Sequence, residues 1–268
     1  MERPRHPIFA DRPEDRAKLW RYLSFAKLAS LLQSSSLHFT RVDKFDDHFE
    51  GAWPKSDLEY LLNLKGFSVP NFTEQMKRKC VAASCWVGLP HESAAMWRLY
   101  APGGESVAIT TTFGKLNAVV EAANSLELVN LAGAGRVHYF DHVSKGLIDP
   151  LGPDDPLPNT LQPFMLKNIS YEHEKEVRGL LVAPLGHAEI EPVGCDLPIE
   201  LSSFVDDIVV SPNAPKWFFD AVSGLVHRYG LIEKVKPSAL SRDMFYMRVE
   251  SQPKQRAQGD TPVEEGTS

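Results

Sequence analysis

Short stretches that alternate apolar and polar residues recur along this chain, and helical patterns separate them at irregular intervals. "KLWRYL" (18–23), "LHFTRV" (37–42), "SVAITTTF" (106–113), "RVHYFDH" (136–142) and "DDIVVSP" (206–212) have the period of half-buried strands. "CVAASCW" (80–86) reads as a fully buried strand and "LIEKVK" (231–236) as a last one. Between them, Ser24 is placed to cap a helix over "FAKLASLLQ", whose Phe25, Leu28, Leu31 and Leu32 share one face. "SAAMWRLY" (93–100), "KLNAVVEAAN" (115–124) and residues 213–230 are further helices, the last with Pro215 near its start and Gly230 just past its end. Ser56 and Glu59 form a capping-box pattern opening "DLEYLLNL", and "TLQPFMLKN" (160–168) reads as a helix interrupted by Pro163. No regular βαβ rhythm is present. The expected fold class is therefore α+β, with a mixed, mostly antiparallel sheet flanked by helices.

At 268 residues, 43% hydrophobic and 24% charged, the chain is long enough to bury a core without staples. One domain is expected over residues 17–250. The polar, Pro-rich residues 1–16 are expected to be flexible, and the nearly apolar-free tail 251–268 to be disordered. A formal net charge of −6 without any Lys/Arg run weighs against a nucleic-acid-binding module, whose affinity comes mainly from phosphate neutralisation. Three cysteines (Cys80, Cys85, Cys195), no apolar signal core in the first sixteen residues and no stretch of membrane-spanning length point to a cytoplasmic protein with no membrane partner.

The chemistry-bearing residues fall into a few clusters. Cys80, Cys85 and His91 match no zinc spacing, and no metal is expected from them. "DKFDDHFEG" (43–51) gathers Asp46, Asp47 and Glu50 in a loop, where oxygen ligands suit a hard cation but acidic residues also commonly bond their own backbone. No G-x-S-x-G, H-E-x-x-H or P-loop occurs. Three remaining segments mix aromatic, hydroxyl and charged residues: Arg21 and Tyr22; Trp97 and Tyr100 followed by Thr110, Thr111 and Thr112; and "SYEHEKEVRGLLVAP" (170–184), with Glu174, Glu176 and Arg178. If the last segment is a strand from its acidic part onward, these three side chains share one face as the chain enters the core. Forked donors suit a ribose or phosphate, and a carboxylate suits an oxocarbenium-like centre. The same residues also suit an exposed Glu–Arg face with aromatic core bulk. A metal-dependent hydrolase or nuclease using Asp46, Asp47, Glu50 and Glu176, and a non-enzymatic interaction protein serving in stress response or phage defence, stay open beside the nucleotide-site reading.

Several pieces in order, "YLSFAKLASLLQSSSLHFTRVDKFDDHFEG", "CWVGLPHESAAMWRLYAPGGESVAITTTFGKL", "VHYFDH", "ISYEHEKEVRGL" and "VVSPNAPKWFFDAVSGLVHRYGL", resemble a bacterial domain-of-unknown-function family, number twenty-nine seventy-one. The order of an arginine, a Ser/Thr triplet on a strand and E-x-E is in turn similar to the arginine–serine–glutamate class of ADP-ribosyltransferases. That resemblance implies a split sheet and NAD as substrate, with cleavage of its N-glycosidic bond and transfer of ADP-ribose to a protein, nucleic acid or small molecule. It implies NAD binding by Arg21, a nicotinamide pocket supported by Thr111 and its neighbour Thr110, and Tyr22, Trp97 and Tyr100 as cleft walls. Glu176 would stabilise the oxocarbenium ion and Glu174 would orient the acceptor. Asp47, Glu50 and Arg178 are further cleft residues on this reading.

Overall fold

A computed structural model describes residues 6–47, 49–55, 57, 69–127, 129–141, 160–184, 190 and 193–241. Strand β1 (Lys18–Ser24) runs directly into α1 (Phe25–Ser34), with Ser24 Oγ accepting from Lys27 N as the expected cap. Ser35 takes a left-handed φ of 47° and turns the chain into β2 (Ser36–Arg41). There follow α2 (Val69–Lys79), β3 (Val81–Val87), α3 (Ala94–Tyr100), β4 (Ser106–Thr112), α4 (Phe113–Ala122), β5 (Leu131–Arg136), β6 (His138–Phe140), β7 (Leu166–Asn168) and β8 (Glu176–Val182). β9 (Gly194–Pro198), α5 (Leu201–Phe204), β10 (Asp207–Val210), α6 (Lys216–His227) and β11 (Val235–Pro237) complete the described elements.

The architecture is α+β. In the large sheet every pairing is antiparallel except β10 with β11, and β6 and β7 form a separate parallel pair. β3 is its hinge. One edge of β3 pairs with β8 along its whole length, Val81 opposite Val182 through Val87 opposite Glu176, and β8 carries β5 beyond it. The opposite edge is shared. β1 meets it only where Trp20 faces Val87, and β2 only at Ala82 and Ala83. β1 leads outward to β4, β10 and β11, and β2 leads to β9. The sheet therefore forks over Ser84, Cys85 and Trp86.

The central strands are buried on both faces, and alternation sends their side chains to two different packing layers. One face, with Leu19, Trp86, Ile109 and Val177, packs with α1, α4 and α6 through Leu28, Leu32, Phe113, Leu116, Val222 and Val226. The other face carries two smaller clusters. Val81, Ala83, Leu180 and Val182 pack with Met76 of α2 and Phe164, while Trp20, Tyr22 and Val87 pack with Met96 and Trp97 of α3. Burial of such side chains stabilises by roughly 1.5–3 kcal/mol each. Ile8 and Phe9, in the stretch expected to be flexible, join the cluster of Val81 and Phe164, and the Phe9 ring lies so close to β5 that a Cβ on Gly133 would stand 2.4 Å from it. Among the described residues no helix is long and apolar enough to cross a membrane.

Two local expectations are corrected. "TLQPFMLKN" is a single 3-10 turn, Gln162–Met165, followed by β7, because Pro163 allows a helix start but no continuation through it. In "SYEHEKEV", a 3-10 helix spans Ile169–Glu174, Lys175 reverses the chain with φ +46°, and the strand begins only at Glu176. Glu174 is thus not on the strand with Glu176 and Arg178. The Ser56/Glu59 capping pattern and the tail from 251 lie outside the described residues, as does nearly all of "DLEYLLNL".

Candidate active site

The fork in the sheet opens a cleft of about 1100 Å³. Alternation places Trp20 and Tyr22 of β1, His38 and Thr40 of β2 and Cys85 of β3 along it, while Asp46, Asp47 and Glu50, the end of α3 and residues 170–174 close over it. Arg21 spans the fork. Its Nη1 donates to Ser84 Oγ at 3.0 Å and its Nη2 to the His38 carbonyl at 3.2 Å, so one guanidinium ties β1 to the first residue of the gap in β3 and to β2. The guanidinium lies 5.7 Å from the Trp86 ring centroid, and Trp86 Nε1 also donates to Ser84 Oγ. Among the described residues Arg21 has no carboxylate partner. It is half-buried in the cleft lining, and burial lowers its pKa. A cation so placed favours an anion in the cleft.

At the other end, β8 begins with two ionisable residues in an otherwise apolar strand. Glu176 is 3% and Arg178 0% exposed. Arg178 Nε donates to Glu176 Oε1 at 2.7 Å, Nη1 to the Phe164 carbonyl at 2.7 Å and Nη2 to Glu50 Oε1 at 3.0 Å. Glu50 Oε2 lies 2.9 Å from Nη1 but off the N–H direction, a charge contact without a hydrogen bond. Lys167, delivered by β7, donates to Glu176 Oε2 at 2.9 Å and to Glu174 Oε2 at 2.6 Å. The reversal at Lys175 is what lets both glutamates face one ammonium. Tyr139 of β6 accepts the Glu176 backbone N–H at 2.7 Å, so the small β6–β7 sheet supplies two of the groups that fix this acid.

Electrostatics follow from this packing. Burial alone would raise the Glu176 pKa, but the charges of Arg178 and Lys167, with hydrogen bonds from Arg178 and Cys85, outweigh it and bring it to about 2. Burial pushes Glu50 the other way; Arg178 opposes it and the charge on Glu176 adds to it. Burial likewise would lower Lys167, and the surrounding carboxylates more than reverse that. Burial, then the Glu176 charge, holds the Cys85 thiol well above its usual range, so it stays protonated. Glu176 is an ionised acid at neutral pH that accepts from Arg178, Lys167 and Cys85 and keeps room for one further donor.

The structure brings together most of the residues singled out in the sequence, and separates some. Arg21, Tyr22, Tyr100, Asp47, Glu50, Glu174 and Glu176 line one cleft. Tyr22 is held there by the Ser93 N–H on its hydroxyl, and burial pushes its pKa to about 12. Thr110 and Thr111 are fully buried on β4: Thr111 donates to the Phe204 carbonyl at 2.6 Å and Thr110 accepts from Asp207 N at 3.1 Å. Their hydroxyls fasten β10 and the segment before it, and do not reach the cleft. Ser84 is the hydroxyl that stands against Arg21. Trp97 is buried behind the wall, edge-on to Tyr22 at 4.9 Å, with its Nε1 on Glu92. Tyr100 bonds Glu174 at 2.5 Å and belongs to the acid cluster as well as to the wall. Lys167 and Ser84 were missed; Lys167 directly follows the apolar "FML", and Ser84 sits inside the apolar run "VAASCW".

The acids of the hydrolase reading do not frame an ion. Asp47 Oδ1 accepts from Phe49 N, and Glu50, Glu174 and Glu176 are gathered on Lys167 and Arg178, which a metal would have to displace. Among the described residues no three His, Cys, Asp or Glu side chains converge as ligands.

No protein-family model matches the chain, and no curated protein is similar to it. Among solved structures it is similar to Thermus sp. 2.9 DarT in complex with ADP-ribosylated ssDNA, over 88% of this chain and 99% of that one, at TM-score 0.35 and 10% identity. It is likewise similar to Thermus sp. 2.9 DarT in complex with NAD+, over 85% and 95%, at TM-score 0.34 and 9% identity. Likeness at this level identifies neither a family nor an activity, so the function has to be read from the cleft itself.

Proposed function

We propose that the chain is an NAD-cleaving enzyme of the ADP-ribosyltransferase type, acting in the forked-sheet cleft. The observation that carries this reading is that the fork sets Arg21, a cation without a carboxylate partner among the described residues, in the same cleft as the ionised Glu176. A volume of about 1100 Å³ accommodates a dinucleotide. Arg21 would take the pyrophosphate or a ribose, its planar donors suiting either. Trp20 and Tyr22 would supply apolar wall for the rings. Glu176 would accept from a ribose hydroxyl and stabilise the positive charge that develops at C1′ as the bond to nicotinamide breaks. Arg178 and Lys167 orient that carboxylate beforehand, so no reorganisation is needed as charge develops. The acceptor would approach from the side of Glu174 and Tyr100; water, a protein, a small molecule and nucleic acid are all within this chemistry.

The test is nicotinamide release from NAD, followed chromatographically with and without added acceptors. Wild-type protein is expected to release nicotinamide and Glu176→Gln to be slower by about 10²–10³-fold, as for loss of one preorganised transition-state contact. A wild-type protein that binds NAD without turning it over would mark a binding protein. Equal release by Glu176→Gln would remove this carboxylate from the reaction.

A further inference from the structure

Glu174 lies in the wall of the reaction cleft but is nearly buried there. The residue is 4% exposed, Lys167 holds its Oε2 at 2.6 Å, and the Tyr100 hydroxyl donates to its Oε1 at 2.5 Å. Tyr100 is 48% exposed and lines the cleft. Of the pair, Tyr100 is the more exposed to an incoming acceptor, and its hydroxyl is hydrogen-bonded to the Glu174 carboxylate. The ring is held in place by its helix: Tyr100 is the last residue of α3, Ser93 caps the first turn by accepting from Met96 N, and Trp97 is buried with its Nε1 on Glu92.

The geometry points to Tyr100 as a proton relay that connects the acceptor in the cleft to the buried base Glu174. The inference rests on the NAD-cleavage reading and assigns the one proton which that chemistry must move. As the C1′–N bond breaks, its electron pair leaves with nicotinamide, and the acceptor oxygen forms the new C1′–O bond. The acceptor's proton passes to the Tyr100 oxygen while the Tyr100 proton passes to Glu174 Oε1, so the proton ends on the carboxylate. Tyrosine begins and ends neutral, which suits a phenol whose ionisation is opposed first by burial and then by Glu174 itself. The two acids then divide the work: Glu176 meets the developing charge at C1′, and Glu174 takes the proton through Tyr100. Lys167, bonded to both, keeps them at a fixed separation.

The experiment compares wild type, Tyr100→Phe and Glu174→Gln for NAD consumption in water and with sodium azide. Azide is an anionic nucleophile that needs no base. Tyr100→Phe keeps the ring and its packing. Both variants are expected to hydrolyse NAD about a hundredfold more slowly than wild type, the typical contribution of a positioned proton acceptor, with KM for NAD unchanged. Azide is expected to restore NAD consumption in both and to yield ADP-ribosyl azide by mass spectrometry, while accelerating wild type little. Hydrolysis by Tyr100→Phe at the wild-type rate, or variants that azide leaves slow, overturns the relay while leaving NAD cleavage standing. Wild-type protein that consumes no NAD with or without azide overturns the cleavage reading and the relay with it.

Discussion

Replacing Arg178 by Met tests whether the ionic cluster at the head of β8 is a unit. The guanidinium is 0% exposed and supplies three hydrogen bonds, to Glu176, to the Phe164 carbonyl and to Glu50. Methionine fills much of the volume and supplies none of them. Two carboxylates and a carbonyl each lose a hydrogen bond from a nearly fully buried donor. Removing one partner of a buried ion pair costs roughly 3–5 kcal/mol, because a charge is left uncompensated. Two features hold the loss within that range. Lys167 stays on Glu176 at 2.9 Å, and Glu50, whose pKa burial already raises, can take up a proton. The expected effect is a fall in melting temperature of about 6–20 °C, at roughly 2–4 °C per kcal/mol for a chain of this size, with a matching shift of the urea midpoint. Adding Glu50→Gln to Arg178→Met should recover about 1 kcal/mol or more, since it removes one stranded acid. A single variant within about 1 kcal/mol of wild type, or a double variant less stable than the sum of its parts, would refute the view of the cluster as a mutually neutralising set.

Two further perturbations follow from the same structure. The Glu176 pKa is depressed from 4.5 to about 2, so its contribution to stability is complete above about pH 4.5 and is lost as pH falls towards 2; denaturant titrations across that window should show the fall, and Glu176→Gln should flatten it. Gly194 has φ +141°, and a Cβ there would stand 2.1 Å from the Phe39 carbonyl oxygen, so Gly194→Ala should loosen the pairing of β2 with β9 and cost at least about 1–2 kcal/mol, read by thermal melting; a neutral substitution would contradict the register of that pair.

Much of the fold was legible because it is local. The β-branched and alternating runs "LWRYL", "SVAITTT" and "DIVV" form strands, and Ser24 caps its helix as short-range chemistry requires. The fork was not legible from pattern, since it depends on β1 and β2 both finding one edge of β3 across distances no window spans. Arg21 and the two glutamates stood out as charges beside apolar runs. The threonine triplet misled because a hydroxyl on a strand looks the same whether it faces a ligand or a backbone carbonyl 93 positions away. A shared face for Glu174 and Glu176 required the strand to run back through "EHEKEVR", whose alternation allows it; nothing local marks Lys175 as left-handed. Lys167 was hidden inside a segment whose Pro163 suggested a broken helix, when the chain there makes a turn and a short strand.

The central claim is that the fork is a dinucleotide site whose anion-binding end is Arg21. It is tested most directly by calorimetric titration of ADP-ribose, which carries the pyrophosphate and both riboses but no bond to cleave, into wild type and Arg21→Gln. The account predicts saturable binding to wild type and a loss of roughly 10–100-fold in Arg21→Gln, the worth of a charge-assisted hydrogen-bond pair at about 1.5–3 kcal/mol. Glu176→Gln should bind within a few fold of wild type, because its carboxylate acts mainly on the developing charge. Equal affinity of wild type and Arg21→Gln, or no binding to wild type, would contradict the account.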